Sequence, residues 1–424
     1  MSMRNLSTLA LAGLLATAAT TGPADAGPFT PLSLLTTITV PTDAANMQPG
    51  GVFTAFDISF FDPITGNDYV ADRSNASVDI FSGTSLSFLG RATGFTGQQS
   101  TTSASGPDGV LTVTSGGVTT LYAGNGDSTL RVFNATNPAA PILLQTISTG
   151  GTTRVDEMAY SPLTHQVLAA NNAESPAYGN LFNTTNGTSP VTLLKSPITV
   201  PATQGGIAAG GMEQPAWDPI TGTFFVSIPQ LGVGGSSDPG GVAEISTAGV
   251  VLRTISLATL GITSCSPSGL AVGGSGNLLV GCGNVGAAAI LLNPAGAGSI
   301  VKTFAGLGGT DELWYDPTLK LFYVTGNNGT NTGRFFDVVS DDLLGGIIDQ
   351  TVDLPDTASA HSIAVDPLNG DVFVPLAGGS GNTTCPLGCV AVFGTVPEPG
   401  SLPMIIVGLV GLLGLGFYRR ASQS

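Results

Sequence analysis

The sequence predicts an all-β fold, a seven-bladed β-propeller with four antiparallel strands in each blade. Two short apolar strands around a tight turn recur with a spacing of about 50 residues, the size of one blade. Two further strand-like segments follow most of these pairs, and no stretch between them shows the periodicity of an amphipathic helix. Seven such units account for the body of the chain.

The first two strands of most units are joined by a turn of the type Asp-Pro-x-x-Gly. Pro presets the backbone φ angle for a turn, Asp accepts a local backbone hydrogen bond, and Gly supplies a positive φ. A third strand then follows, as at residues 242–245, and a fourth, as at residues 251–256. The copies with Asp-Pro or Ser-Pro cover residues 58–72, 158–170, 215–227, 313–325 and 363–374, and two weaker copies cover 109–123 and 268–281.

The last unit lacks a fourth strand of its own, because its third strand, residues 391–394, runs directly into the C-terminal segment. Residues 34–41 repeat the Leu-Leu-x-Thr-Ile pattern of the fourth strand at residues 143–148. We therefore predict that the N-terminal strand closes the last blade, which leaves no open junction in the ring. Pro197 fits an outermost strand, where one side needs no amide donor. A two-sheet sandwich array or a solenoid is the alternative fold.

The two ends of the chain predict export. Residues 1–26 contain Arg4, an apolar run over residues 9–20 and an Ala-Asp-Ala cleavage site, which is the order of a secretory signal peptide. The propeller domain then occupies residues 27–395. The C-terminal segment, residues 396–424, contains Pro397, Glu398 and Pro399, then a hydrophobic segment at 402–417, and then Arg419 and Arg420.

This C-terminal order resembles the PEP-CTERM sorting signal of Gram-negative bacteria, which an exosortase-type protease handles at the inner membrane. Together, the N-terminal signal and this resemblance imply the Sec-type export machinery and an exosortase as partners. The resemblance also implies transient inner-membrane anchoring by a transmembrane segment at 402–417, followed by delivery to the cell envelope, the outer surface or the extracellular matrix. A permanent single-span anchor is the alternative, with the Arg pair on the cytoplasmic side.

The composition excludes one class of partner and favours disulfides. The chain has 28 acidic and 12 basic residues, a net charge of −16, whereas nucleic-acid binding depends on neutralising phosphates. We therefore expect no nucleic-acid partner. In an exported protein the four cysteines favour disulfides, and their positions allow Cys265 to approach Cys282 and Cys385 to approach Cys389. A metal site at the second pair would lack further Cys or His ligands at suitable spacing.

Short motifs resemble those of the YVTN/NHL-type propeller families. Tyr-Val-Ala-Asp at residues 69–72 and Tyr-Val-Thr-Gly at 323–326 resemble their second-strand signature, and Ile-Ala-Val-Asp-Pro at 363–367 resembles their first-strand signature. Motifs of this kind are shared across many functions, so the resemblance supports the fold more than an activity.

A binding site is expected on one face of the propeller. The long loops at residues 95–108, 171–178, 201–212, 229–240 and 377–389 all follow second or fourth strands and so emerge on the same face. In the five copies with Asp-Pro or Ser-Pro, which we call the marked turns, an acidic residue or His stands five residues before the Asp or Ser. The innermost strands begin at these positions. These rim candidates, with two adjacent glutamates, are Asp57, Asp156, Glu157, Glu213, Asp311, Glu312 and His361.

We expect the rim candidates to converge on the mouth of the central channel. A ring of carboxylates with one His could hold a hard divalent cation such as calcium through oxygen ligands. Such an ion could polarise a substrate carbonyl or activate water. The alternative is that these acids only solvate the strand starts of an acidic protein.

Residues 213–228 also resemble the first-strand motif of gluconolactonase-type propellers. In that family the Glu is a metal ligand, and the resemblance carries this role to Glu213. Asp311, Asn171 and Asn327 are possible equivalents of the other ligands. The motif lies in the fourth unit here instead of near the start of the chain.

Two functions follow from these patterns. The first is a non-catalytic binding or interaction module, sorted to the cell surface, for an extracellular polysaccharide or a surface protein. The alternative is a metal-dependent hydrolase of lactonase type with its site at the top of the channel. The first is favoured because the sequence has no Gly-x-Ser-x-Gly, His-Glu-x-x-His or Gly-Lys-Ser/Thr motif, and its second His, His165, lies in a turn of the opposite face.

Overall fold

The computed structural model describes residues 30–207, 210–232, 238–327, 334–341, 348–354, 360–379 and 382–396. Within these residues, 28 strands form seven four-stranded antiparallel sheets, and the only helices are short 3₁₀ turns. The prediction of a seven-bladed β-propeller is confirmed, and the sandwich and solenoid alternatives are excluded.

Blades 1 to 6 run in chain order from the channel outward. Blades 1 to 3 comprise β2 (Phe56–Asp62), β3 (Asn67–Asp72), β4 (Ser77–Ser82) and β5 (Ser87–Thr93); β6 (Val110–Ser115), β7 (Val118–Asn125), β8 (Thr129–Asn134) and β9 (Ile142–Ser148); and β10 (Met158–Ser161), β11 (Gln166–Asn171), β12 (Tyr178–Thr185) and β13 (Thr188–Ile198). Blades 4 to 6 comprise β14 (Pro215–Asp218), β15 (Thr223–Ile228), β16 (Gly241–Ile245) and β17 (Val251–Ser256); β18 (Pro267–Val272), β19 (Leu278–Cys282), β20 (Ala288–Asn293) and β21 (Ser299–Ala305); and β22 (Leu313–Asp316), β23 (Leu321–Asn327), β24 (Arg334–Ser340) and β25 (Ile348–Asp353).

The seventh blade is closed by the N-terminal strand, as the sequence predicts. It comprises β26 (Ala364–Val365), β27 (Val372–Leu376), β28 (Cys389–Thr395) and, outermost, β1 (Leu32–Thr39). β1 pairs antiparallel with β28, from Leu32 opposite Thr395 to Thr39 opposite Cys389. Gln350 of β25 reinforces this closure, because its amide accepts from the Leu32 N–H at 2.7 Å and donates to the Leu32 carbonyl at 2.9 Å.

We call the face that carries the turns after first and third strands the lower face, and the opposite face the upper face. The lower-face turns form by the predicted mechanism: Asp218 Oδ1 accepts from the Ile220 N–H at 2.8 Å, and Gly222 has a φ of +68°. Where the sequence lacks Gly, His165 (φ +56°) and Lys320 (φ +57°) take the left-handed conformation instead.

The core lies between neighbouring blades. Apolar and aromatic side chains of adjacent sheets pack there in separate clusters, with Phe224, Tyr69 and Phe373 fully buried in three of them. Pro197 lies in β13, an outermost strand, as expected.

Both predicted disulfides are present. Cys265 is bonded to Cys282, with a Cα–Cα distance of 4.5 Å, and Cys385 to Cys389, with a Cα–Cα distance of 5.7 Å.

The predicted targeting segments lie outside the described residues. These are the signal peptide at 1–26, the hydrophobic segment at 402–417 and the sorting residues Pro397, Glu398, Pro399, Arg419 and Arg420. Among the residues that the structure describes, none forms a helix with the length and apolar character needed to cross a membrane.

Candidate functional site

The upper end of the central channel holds a network of buried and half-buried charged side chains. They belong to the starts of innermost strands or to the loops beside them, which the closed ring brings together. We call this set the upper ring: Asp57, Arg73, Asp108, Arg154, Asp156, Glu213, Asp311 and His361.

Two arginines connect the carboxyl groups of the upper ring. Arg73 pairs with Asp57 and, in the next blade, with Asp108, whose Oδ1 lies 2.8 Å from the arginine Nε. Arg154 Nε lies 2.8 Å from Asp156 Oδ2 and donates to Asn172 Oδ1 at 2.9 Å. Arg73 is buried and Arg154 is half-buried, and each lies against a buried acid, so neither arginine lacks a counter-charge.

The network lowers the pKa of Asp57, whereas the pKa of each other carboxyl group in the ring is raised. Burial acts to raise the pKa of Asp57, but Arg73 and the contact with His361 outweigh it and hold that pKa well below its usual value. His361 Nε2 lies 3.6 Å from Asp57 Oδ1, and its ring stacks on Phe56 with centroids 4.6 Å apart. Asp57 is therefore ionised at neutral pH.

Burial shifts the pKa of the other four carboxyl groups of the upper ring upward. Burial, followed by the charge of neighbouring acids, raises the pKa of Glu213 to about 8. Burial also raises the pKa of Asp156 to about 7, although Arg154 opposes it. Burial shifts the pKa of Asp108 and Asp311 upward as well. The ring thus holds more carboxyl groups than its arginines neutralise, and protons or a bound cation must balance the remainder.

Three members of the upper ring have the spacing of a metal site. Asp57, Asp311 and His361 each offer one ligand atom, and these atoms lie within 4.8 Å of one another. Two carboxylate oxygens and one imidazole nitrogen suit a transition-metal dication better than calcium, which prefers six to eight oxygens. The residues present therefore fit a metal ion of this kind.

The ligand set suggested by the resemblance to gluconolactonase-type propellers is distributed differently. Asp311 belongs to the group above, whereas Glu213 accepts a hydrogen bond from Asn172 Nδ2 at 3.1 Å. Asn171 and Asn327 end the second strands β11 and β23, one strand outward from the channel. The side chain of Asn171 donates to Ser128 at 3.0 Å and accepts from Asn180 at 2.7 Å.

Glu157 and Glu312 lie deeper in the channel than the rim predicted from the sequence. Glu312 Oε2 accepts from the backbone N–H groups of Ser59 and Ile363, both at 3.3 Å, and from the Ser362 hydroxyl, so it ties three innermost segments together. Glu157 has no hydrogen-bond partner for either oxygen among the described residues. Burial raises the pKa of both glutamates well above the usual value.

A pocket of about 620 Å³ opens on the upper face beside the ring. The loops after β11 and β13 form its walls, and its polar lining includes Arg154, Asn172, Glu174 and Glu213. Glu174 is held in place because its carboxylate accepts from the Thr153 N–H at 2.8 Å. A second, smaller pocket of about 280 Å³ lies over Arg73 and His361.

Residues 395–420 match the PEP-CTERM protein-sorting motif. No curated protein matches the chain. The motif implies exosortase-sorted export, with a C-terminus anchored in the membrane before sorting. It lies at one end of the chain and carries no information on the chemistry of the upper ring.

Sequence reasoning missed Arg73, Arg154 and Asp108. The available signal for the arginines was their rarity: a chain with only 12 basic residues places one directly after β3 and another shortly before β10, both at the upper face. Asp108 was missed because blade 2 lacks the Asp-Pro turn from which the rim positions were counted.

Proposed function

We propose that this protein is a binding module of the cell envelope, exported through a signal peptide at residues 1–26 and sorted by an exosortase to the outer surface or the extracellular matrix. Its upper face binds a segment of extracellular polysaccharide in the pocket beside the upper ring. The observation that carries this proposal is the pocket itself, whose polar groups are fixed before any ligand arrives.

The fixed groups form a continuous chain of contacts. Asp156 holds Arg154, Arg154 donates to the side-chain oxygen of Asn172, and Asn172 donates to Glu213. Donors and acceptors held in one geometry lose little conformational freedom on binding, which favours recognition of a ligand rich in hydroxyl groups. The net charge of −16 favours a neutral or amine-bearing polysaccharide over an anionic one.

We include in this proposal that the body is a YVTN/NHL-like propeller, a likeness that concerns its fold. Tyr69 and Tyr323 occupy equivalent second-strand positions and are both fully buried. Their burial supports an interpretation of the YVTN/NHL-like signatures as packing positions of a blade, and so it supports a scaffold for binding more than a particular activity.

The test is binding of the secreted protein to neutral polysaccharides and to chitosan oligomers by calorimetry. Asn172→Ala removes the residue that connects Arg154 to Glu213 and should weaken binding by roughly ten-fold, the value of one or two hydrogen bonds. Asn369→Ala changes the same residue type in a lower-face turn, where Asn369 bonds to Asp371 two residues on, and should leave affinity unchanged. Absence of binding, or an equal effect of both substitutions, would contradict the proposal.

The alternative is a metal-dependent hydrolase of lactonase type, and the ligand spacing of Asp57, Asp311 and His361 favours it. A metal bound there would polarise a carbonyl at the mouth of the channel. Asp57 would supply a charged oxygen, since Arg73 and His361 favour its ionised form.

The two histidines of the chain provide a matched pair of variants for this alternative. If the ion is present, His361→Gln should remove it, whereas His165→Gln on the lower face should retain it. Metal analysis and a lactone hydrolysis assay of both variants decide between the functions. Hydrolysis that requires His361 and a stoichiometric metal would replace the binding module by an enzyme.

A further inference from the structure

The central channel below the upper ring contains a cavity of about 440 Å³. Glu157, Gln214 and Glu312 line its upper end, and Phe60, Trp217 and Trp314 line its walls. The lining extends to Pro162 in the turn between β10 and β11, so the cavity reaches the lower face. At the upper face the ion pairs of Arg73 and Arg154 stand over it.

One carboxyl group in this cavity lacks any partner. Glu157 is only 3% exposed, and neither of its oxygens accepts a hydrogen bond from a described residue. Glu312, at the same depth, accepts from three donors, and Gln214 accepts from the backbone N–H groups of Leu270 at 2.6 Å and Leu313 at 3.0 Å. Glu312 and Gln214 are therefore satisfied within the protein, whereas Glu157 lines the cavity without a partner for its carboxyl group among the described residues.

The surroundings of Glu157 indicate which ligand would satisfy it. An anion is excluded because four nearby acids raise the pKa of Glu157 through their negative charge: Asp156, Glu213, Asp311 and Glu312. A metal ion needs several ligands at close range, and the group with that spacing in the described part of the chain, Asp57–Asp311–His361, does not include Glu157.

An ammonium group offers three N–H donors to a carboxylate, and aromatic rings attract cations. The cavity combines both features, since Phe60 and Trp314 pack edge to face with centroids 5.3 Å apart beneath the glutamates. The indole N–H of Trp217 also lacks a partner among the described residues.

We propose that the channel binds a compact organic amine that enters from the lower face, with its ammonium group on Glu157 and its apolar body between Phe60, Trp217 and Trp314. This site is separate from the upper-face pocket, and it does not depend on the polysaccharide proposal. The upper ring closes the far end of the channel and excludes a ligand longer than the cavity.

The chain carries its own reporter for this site. It has only two tryptophans, and both line the cavity. The experiment titrates the full-length protein with cyclohexylmethylamine and follows tryptophan fluorescence. Cyclohexylmethanol serves as the uncharged analogue and calcium chloride as the inorganic cation. We expect a saturable change with the amine and roughly ten-fold or weaker affinity for the alcohol, because one charge-assisted hydrogen bond is lost.

Glu157→Gln keeps the shape and removes the carboxyl group that can ionise against an ammonium ion, so it should weaken amine binding by a similar factor. Glu174→Gln, in the upper-face pocket, should leave amine binding unchanged. Ala216→Leu adds bulk at a wall of the cavity without touching either glutamate, and it should abolish the response. It also keeps the test decisive if Glu157→Gln fails to fold.

Three results would overturn the proposal. The first is the absence of a saturable response to the amine. The second is equal affinity for amine and alcohol, or an unchanged affinity in Glu157→Gln, which would leave the carboxylate without a role. The third is displacement of the amine by millimolar calcium, which would assign the site to an inorganic cation instead.

Discussion

The two ends of the channel are built from the same repeat, but their polar and charged groups are satisfied in different ways. At the lower face each marked turn satisfies itself, as when Asp218 accepts from the backbone of its own turn at Ile220. At the upper face the charged side chains also depend on neighbouring blades: Arg73 joins Asp57 of its own blade to Asp108 of the next, and His361 of blade 7 contacts Asp57 of blade 1. The lower end is therefore a local structure repeated around the ring, whereas the upper end exists only after the ring has closed.

This difference indicates where function resides. Burying an ion pair gains little stability and often costs some, because both charges must be removed from water. This acidic chain places two of its few arginines beside five carboxyl groups at the upper end of the channel and so bears this cost there. The long loops emerge at the same end. The regular lower turns, in contrast, are explained by the requirements of the fold alone.

Opening the ring should remove the difference between the two ends, and it should have the largest effect on the free energy of unfolding. Deletion of β1 (Leu32–Thr39) removes two buried side chains, Leu32 and Ile38, and the whole ladder to β28. The two side chains alone should lower the free energy of unfolding by more than about 3 kcal/mol, measured by urea denaturation. Leu35→Asn, an exposed position in the same strand, is the control and should change little. Normal stability after the deletion would mean that closure through β1 is dispensable.

Removing a buried cation from the upper end should lower the free energy of unfolding more than a comparable substitution near the lower end does. Arg73→Met leaves Asp57 and Asp108 buried without their counter-charge and should cost about 3–5 kcal/mol of unfolding free energy. Arg253→Met breaks a more exposed pair with Glu244 in blade 4, whose N–O distance is 2.6 Å, and should cost about 1 kcal/mol or less. Equal losses in chemical denaturation would show that the two ends are held in the same way.

The smallest expected effect is a pH dependence that belongs to the upper end. Glu213 faces Asp156, Asp311, Arg154 and Asn172, and its pKa of about 8 lies above the value of about 4.3 expected in the unfolded chain. Its contribution to stability is therefore complete below about pH 4 and is lost as the pH rises through about 8. Asp57, with its lowered pKa, has the opposite sign and loses its contribution only in strong acid.

Thermal melts between pH 6 and 9 should therefore show stability falling as the pH rises. Glu213→Gln should reduce this slope by less than about 1.4 kcal/mol per pH unit, which is the slope that the release of one proton would give. Glu174→Gln is the control, because hydrogen bonds from Thr152 and Thr153 outweigh its slight burial and lower its pKa. A slope that survives Glu213→Gln unchanged would place the titrating group elsewhere.

The fold was predictable because each blade repeats a short pattern of turn and strand residues along the chain. Each lower turn carries its own Asp and left-handed residue, and each pair of strands follows from that turn, so residues 215–227 alone predict β14 and β15. Even the distant pairing of β1 with β28 left a trace, because Leu34 to Ile38 repeat the pattern of another outermost strand. The candidate site was predictable only as positions: Asp57, Asp156, Glu213, Asp311 and His361 follow from counting back along each repeat.

By itself, the amino-acid sequence determined the number of blades, the closing strand, the disulfides and the acids that begin the innermost strands, since each of these depends on neighbours in the chain or on a repeated pattern. Only the tertiary structure decided that Arg73 and Arg154 enter the ring, that Asp57 is ionised while Glu213 favours its proton, and that Glu157 faces the channel without a partner. The physical reason is that protonation and pairing depend on distances between groups from different blades, such as Ser59 and Glu312, which are 253 residues apart in the chain but share a hydrogen bond across the channel.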